Sequence, residues 1–592
     1  MMLSLRPDTK TLAPSHHRMR KPQKNEPASS PWDSDVNLLI WLATCASVFS
    51  FLFFYRQGQV LLYGDAIAHI NIARRVFDSR TPGLLQLGTV WLPLPHLLMI
   101  PFLISKQMWQ SGAGGSIASM AAYVFGIVGI FRLTRGVLAQ SAEPDRCTRI
   151  AAWTGAFVYA ANPNLIYMQS TAMGEAVYLA FFIWAVVYFA ESMRVTAKAL
   201  IKCGLCLAAA CLTRYDGWFL AVTMVIAIVM VWLLRRRTAK DGVPAARSAA
   251  RAGTTGSGGR AALPGPVSPS AVVRFILISA AAPALWLAYN GLVYRNPLEF
   301  ENGPYSAKAI ERRTQSAGNP GHPGSDNPIL AGMYFLKSAE ANLAANQGLQ
   351  RAWLLLALGA AVVLILRRRS IPVARTWPLL FLLVPVPFYT LSIAYGGVPI
   401  FVPYWWPFSH YNVRYGLNLL PAFAVALAIL VRVILRSDLW NRRFRLGCTI
   451  AVFAIIAASY TNVWHATPIC LKEAQINMRT RNQLQAELAH LLNELPHNSI
   501  LLMYLGDQVG ALERAGIPLK CTINEGNHRV WKQPTDAEGL WERALANPTQ
   551  YADYVLAFEG DPVWQAVHNQ HLHELIEIHV TGQAPAILYR AR

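Results

Sequence analysis

Apolar runs close to the length of a bilayer crossing recur along this 592-residue chain, and short polar or basic segments separate them. Eleven are predicted to cross a membrane, at residues 36–54, 117–131, 150–161, 176–190, 199–212, 219–234, 271–289, 352–366, 377–395, 417–433 and 446–463. The run at 91–109 is also apolar, but Pro93, Pro95 and Pro101 interrupt it. Such a segment is expected to break, or to lie along the surface. From about residue 465 the pattern changes. Residues 472–495 have helical apolar spacing, and the short β-like runs NSILLMYLG, YADYVLAFEG, LHELIEIHV and PAILYR then alternate with helical stretches such as 508–514. The predicted fold class is a polytopic α-helical membrane protein with a small C-terminal α/β domain outside the membrane.

The basic residues orient this pattern. Arginine and lysine clusters follow the second, fourth, sixth, eighth and tenth runs, on the same side as a basic N-terminal tail. By the positive-inside tendency that side is cytoplasmic, so eleven crossings leave the C-terminus outside. The expected organisation is a disordered basic cytoplasmic tail at 1–35, a membrane part at 36–464 and an outer α/β domain at 465–592. Within the membrane part, 238–270 is a disordered, Gly/Ala/Ser/Pro-rich cytoplasmic loop and 290–351 a polar outer loop. The formal charge of +21 sits largely in clusters at the ends of apolar runs, which argues against a nucleic-acid partner. The tail lacks the short apolar core and cleavage site of a secretory signal.

Eight cysteines are present. Cys203 and Cys206 lie in an apolar run without further ligands and read as small buried hydrophobes. Cys470 and Cys521 fall in the outer part, where a disulfide between them could form. His568, His571 and His573 cluster near the C-terminus without an obvious partner acid, and read as surface histidines.

The stretch YGDAIAHINIARRVFDSRTPGLLQLGTVWLPLP, at 63–95, carries the densest chemistry. Asp65 and His69 are four apart, hence on one helix face, and Arg74 and Arg75 follow. On its own this stretch reads equally as a site at the membrane surface or as a solvated amphipathic helix. Other polar residues join it on the outer side. Glu175 opens the fourth run, Arg214 and Asp216 close the fifth, and His410 and Arg414 lead into the tenth. Ionisable groups near bilayer depth are costly and usually face a cavity. Each alone reads as well as an interface anchor, but their joint placement favours a site. The chemistry this predicts is group transfer from a lipid-phosphate donor. Asp65 would take the proton of an attacking hydroxyl, and Arg214 or Arg414 would neutralise the leaving phosphate. A nucleotide-sugar donor fits less well, because no soluble cytoplasmic domain is present to hold one.

The motifs GDAIAH (64–69), STAMGE (170–175), LTRYDGWFL (212–220) and NVRYGLNLLPA (412–422) occur in this order, and the set resembles the GT-C membrane glycosyltransferases that use polyprenyl-phosphate sugars. The likeness is greatest to the branch containing protein O-mannosyltransferase, aminoarabinose transferase (ArnT) and RgtA/B/C/D-like proteins, and it spans nearly the whole membrane part. The resemblance implies Asp65 as general base and Glu175 as the second catalytic acid. It matches Arg214 and Asp216 to one family motif and Arg414 and Tyr415 to another, and implies that these help bind the lipid phosphate, with Asp216 in support. His410 joins the donor-binding set by its place on the outer side, and His69 is given a supporting role that no family pattern demands. The resemblance further implies an inverting transfer of sugar to an extracytoplasmic glycan, lipid or protein, in the inner membrane of a bacterium. The mannosyltransferase branch often has two adjacent acids in the first loop, whereas here Ala66 follows Asp65. That departure leaves the branch and any divalent metal open. A lipid-linked substrate transporter or flippase would also need polar residues in a membrane cavity, but it predicts charges on both sides of a path and internal repeats, neither of which is clear. A non-enzymatic scaffold gives no reason for Asp65, Glu175 and Arg414 to cluster.

Overall fold

A computed structural model describes residues 34–139, 145–193, 197–240, 268–314, 321–367, 372–527 and 539–592. Nearly all of the basic tail and most of the 238–270 loop lie outside the described residues. Apolar helices build the larger part, since a helix satisfies its backbone groups without water. They run α1 (Ser34–Arg56), α2 (Gly64–Arg75), α3 (Leu94–Leu103), α4 (Ala113–Leu138), α5 (Arg146–Ala160), α6 (Pro163–Gln169), α7 (Glu175–Ser192) and α8 (Ala197–Cys211). The chain continues through α9 (Asp216–Lys240), α10 (Pro269–Val293), α11 (Pro328–Leu343), α12 (Gln347–Leu366), α13 (Pro385–Tyr395), α14 (Leu420–Leu435), α15 (Arg442–His465) and α16 (Ile469–Asn493).

Among the described residues, nine helical segments are long and apolar enough to cross a membrane. The other two expected crossings correspond to α5 and α8, which have 15 residues each. At about 1.5 Å per residue each spans roughly 22 Å, less than a bilayer's apolar thickness. Both are nonetheless part of the bundle, α5 packing on α4 and α14, and α8 on α7 and α10. Local sequence explains their length. α5 stops where the Asn162 side chain caps α6 and Pro163 opens it. α8 stops at the polar segment that carries Arg214. The 91–109 run forms only the ten-residue α3, with Pro101 inside, and a short helix Lys106–Gln110. α7 is buried over most of its length, whereas α1 and α12 are mostly exposed along theirs. Their exposed Trp41, Phe49, Leu355 and Leu366 suit a lipid-facing surface.

The C-terminal part contains α17 (Val509–Ala515) and a five-stranded mixed sheet of β1 (Leu501–Met503), β2 (Thr522–Ile523), β3 (Tyr554–Phe558), β4 (His573–Ile578) and β5 (Ala586–Arg590). The strand order is β2-β1-β3-β5-β4. β1 is parallel to β2 and β3, and β5 is antiparallel to β3 and β4. Four of these strands coincide with the four β-like runs. β2 was not foreseen, because two residues carry no readable alternation.

Cys203 and Cys206 are buried in the bundle. The Cys470–Cys521 disulfide is not formed, and both thiols are free. Cys470 is buried at the start of α16, its sulfur 3.3 Å from Asn342 Oδ1, whereas Cys521 leads into β2 of the sheet domain. His568, His571 and His573 are exposed.

The sheet domain is tied to α2 through α17. Asn71 Nδ2 donates to Glu513 Oε2 at 2.9 Å, and Trp109 Nε1 donates to Asn71 Oδ1 at 3.0 Å. Burial pushes the Glu513 carboxyl up to about 8, against the opposing influence of the Asn71 hydrogen bond and the neighbouring Arg514. Between the ordinary value of 4.5 and about 8 the folded chain holds a proton that the unfolded chain has released. Stability is therefore expected to fall as pH rises through that window and to level off above it. Thermal unfolding of detergent-solubilised protein between pH 5 and 9 measures this slope. Glu513→Gln should flatten it, and an unchanged slope in that variant would show that Glu513 does not set it.

Candidate active site

Three acids stand in the first turns of helices, Asp65 on α2, Glu175 on α7 and Asp216 on α9. Free N–H groups and the positive end of the helix dipole favour carboxylates there. Arg414 lies in the 3₁₀ turn Val413–Leu419 that opens into α14, and Glu473 lies near the start of α16. The fold brings all of these to one end of the bundle.

Arg414 links three of the acids. Its Nε donates to Glu175 Oε1 at 3.0 Å, its Nη1 to Glu473 Oε1 at 2.9 Å and its Nη2 to Asp65 Oδ2 at 2.5 Å. Arg214 is held in a similar way. Its Nε donates to Asp216 Oδ1 at 3.2 Å, its Nη1 to Glu175 Oε1 at 3.2 Å and its Nη2 to the Tyr389 hydroxyl at 3.0 Å. One oxygen of Glu175 thus joins both guanidinium groups. Tyr389 in turn donates to Asp216 Oδ2 at 3.0 Å and accepts from Asn418 Nδ2 at 2.8 Å. The Tyr415 ring serves both arginines, with centroid distances of 4.6 Å to Arg214 and 5.0 Å to Arg414, and the Tyr63 ring lies 5.0 Å from Arg414.

Two motif glycines permit this convergence. A Cβ on Gly217 would come within 2.6 Å of the Ala210 backbone, and one on Gly416 would overlap the backbone of Ser338 and Ala339 on α11. A bare backbone at these positions lets the segments carrying Asp216 and Arg414 pack closely.

His69 and His410 do not join the arginine network. The His69 ring is buried and lies 2.8 Å, Nδ1 to Nε2, from His96, with Trp91 against it at 4.9 Å between centroids. Burial lowers its pKa from the ordinary imidazole value, opposed by the nearby Asp65 and Glu175. His69 thus sits behind Asp65 as part of the packing of α2 on α3. His410 accepts through its backbone oxygen from Asn477 at 3.0 Å, and its buried Nε2 has no hydrogen-bond partner among the described residues. Glu473, Tyr389, Asn418 and Tyr63 were not singled out in the sequence. For Glu473 a signal existed, an acid on the buried face of a helix directly after the last crossing, among Cys470, Leu471, Ala474 and Met478. Tyr389 lies inside an apolar run and has no comparable signal.

The donor set does not suit a metal ion. Asp65, Glu175, Asp216 and Glu473 each accept from a guanidinium. Among the described residues, no group of three or more His, Cys, Asp or Glu is arranged to hold a metal ion.

No protein-family model matches the chain, and no curated protein matches it by sequence. Solved structures do match by fold. ArnT from Cupriavidus metallidurans bound to undecaprenyl phosphate aligns with a TM-score of 0.52 and 12% identity, over 94% of this chain and 98% of that one. The same protein in the apo state aligns with a TM-score of 0.51 and 10% identity, over 94% and 99%. The apo oligosaccharyltransferase of Archaeoglobus fulgidus aligns with a TM-score of 0.45 and 12% identity, over 88% of this chain and 69% of that one. The chain shares the polytopic fold of ArnT along nearly its whole length.

Proposed function

We propose that this protein is a membrane glycosyltransferase that moves a sugar from a polyprenyl-phosphate donor to an acceptor at the outer face of a bacterial inner membrane. The observation that carries the reading is Arg414, a buried guanidinium that holds Asp65 at 2.5 Å. A group suited to a lipid phosphate and a group suited to take a proton are thereby in contact. The ArnT fold, seen in a structure with undecaprenyl phosphate, supports the same donor class. The basic clusters on the opposite side of the membrane pattern support the outward orientation.

In the reaction, the acceptor hydroxyl oxygen bonds to the anomeric carbon of the donor sugar, and its proton passes to an Asp65 oxygen. The bond from the anomeric carbon to the phosphate oxygen breaks, and its electron pair leaves with the lipid phosphate. Arg414 and Arg214 stabilise the charge that develops there. No step is assigned to a metal.

The resting contacts imply an order of events. Every nitrogen of each arginine already has a partner and only the second N–H of each Nη group is left, so a phosphate bound by two parallel N–H bonds competes with a resting partner. The partners of Arg414 differ in exposure. The Asp65 side chain is 39% exposed, against 3% for Glu175 and 0% for Glu473. Asp65 is the partner best placed to give way, and its release from Arg414 frees a carboxylate oxygen to accept from the acceptor hydroxyl. Donor binding thus frees the carboxylate that takes the acceptor's proton.

The test is transfer of radiolabelled sugar by membranes containing the protein, with a panel of polyprenyl-phosphate sugars. The expected result is labelled acceptor with release of one polyprenyl phosphate per sugar moved. Intact donor carried across the membrane without cleavage would instead identify a carrier.

A further inference from the structure

A cavity of about 680 Å³ lies between α2, the segment around Tyr294 and Tyr305, and the sheet domain. Of the carboxylates and guanidinium groups in the arginine network, Asp65 alone lines it. The two sites therefore meet at Asp65, with Arg414 on one side and the cavity on the other.

The two adjacent arginines at the far end of α2 differ sharply. Arg74 is committed to structure, with its Nε donating to Asp78 Oδ2 at 2.8 Å and its Nη1 to the Leu103 carbonyl at 2.5 Å. Arg75 lines the cavity and, among the described residues, forms no ion pair and has a buried Nε without a hydrogen-bond partner. Burial lowers its pKa from the ordinary value, against the opposing influence of Glu525 and Tyr294. The Glu525 carboxylate is engaged elsewhere, accepting from the backbone N–H groups of Leu505 at 2.9 Å and Gly506 at 3.1 Å. On the wall contributed by the sheet domain, Glu542 also lines the cavity and, among the described residues, keeps a buried Oε2 without a partner. Buried polar atoms are rarely left in this condition unless a ligand or water completes them.

The two orphaned groups ask for different chemistry. Glu542 needs a donor, such as a hydroxyl. Arg75 needs an acceptor and retains its positive charge at any physiological pH, so an anionic oxygen serves it best. Around them, Trp91, Tyr504 and Trp541 supply flat apolar surface. This combination suits the two faces of a sugar ring, apolar C–H on one side and hydroxyls at the edge. Asp65 and Arg75 are ten residues apart on one helix, which places them about 15 Å apart along its axis.

We infer that this cavity binds the acceptor, and that the acceptor is a saccharide bearing a carboxylate or phosphate that Arg75 engages about 15 Å from the hydroxyl presented to Asp65. The inference rests on the transferase reading for the role of the ligand, but the site itself is a matter of binding. The sheet domain, through Glu542, Trp541 and Tyr504, is then the part that selects the acceptor.

The test is direct binding to the purified full-length protein, followed by the fluorescence of its tryptophans, which include Trp91 and Trp541. The probes are a uronate-bearing trisaccharide, a phosphate-bearing trisaccharide and the neutral trisaccharide of the same backbone. Undecaprenyl phosphate is titrated separately. An anionic trisaccharide should bind better than the neutral one, and Arg75→Gln should weaken it about ten- to a hundred-fold while leaving the neutral probe and undecaprenyl phosphate unaffected. Arg75→Lys should recover part of the loss. The stronger of the two anionic probes identifies the group. Equal binding of charged and neutral probes, or an anionic preference that survives Arg75→Gln, overturns the assignment. Undecaprenyl phosphate binding with no saccharide binding also overturns it and leaves the transferase reading intact. Saccharide binding without undecaprenyl phosphate binding leaves the cavity and removes the support for the donor.

Discussion

Asp65→Asn is expected to lower the rate of sugar transfer by about 10²–10⁴-fold, the usual contribution of a positioned general base. Binding of undecaprenyl phosphate should be unchanged or tighter. The tightening follows from the resting contacts, since Asp65 occupies Arg414 Nη2 at 2.5 Å and competes with the donor phosphate for it. A neutral asparagine competes less well, because a charge-assisted hydrogen bond is the stronger kind. The variant should therefore lose kcat without raising KM for the donor. Steady-state transfer at varied donor, together with direct binding of the lipid phosphate, measures both quantities. Weaker donor binding would show that Asp65 does not compete with the phosphate. Equal rates in the two proteins would remove it as the base and leave Glu175 as the next acid to test.

What could be read in the sequence, and what could not, follows from the same geometry. Asp65, Glu175, Arg214, Asp216, Arg414 and Tyr415 stand at the ends of apolar runs, where a polar residue interrupts the pattern and is visible. Counting the runs then put them on one side, and the structure brings them into one network. Glu473 was hidden because its neighbours have the spacing of an ordinary amphipathic helix, and only the fold turns its face toward Arg414. Tyr389 was hidden because one hydroxyl in an apolar run has no periodic signature. His410 entered by proximity to Arg414 in the chain, yet its side chain is not in the network. The reason is local, since Asn412 takes a left-handed conformation between them and the chain changes direction there. The short length of α5 and α8 was not legible, because hydropathy records apolar character more readily than the point at which a polar break ends a helix.

Arg414→Gln should have the broadest effect of any single change at this site. It removes the common partner of Asp65, Glu175 and Glu473, and two of these acids are almost wholly buried. Leaving a buried charge uncompensated typically costs about 3–5 kcal/mol, so a lower unfolding temperature in detergent is expected along with loss of undecaprenyl phosphate binding. Loss of binding alone would not separate a phosphate ligand from a structural strut. Two further variants do. Arg414→Lys keeps the charge but offers one compact ammonium in place of a planar fork that reaches three carboxylates, so donor binding should weaken at least about tenfold while more of the stability is kept. Adding Glu473→Gln to Arg414→Gln removes one of the uncompensated acids, and stability should partly return because the two residues are in direct contact. Donor binding should not return with it, since no cation has been restored at that position. Recovery of both together would mean that Arg414 serves only to hold the helix ends, and the phosphate would then have to be bound by Arg214 alone.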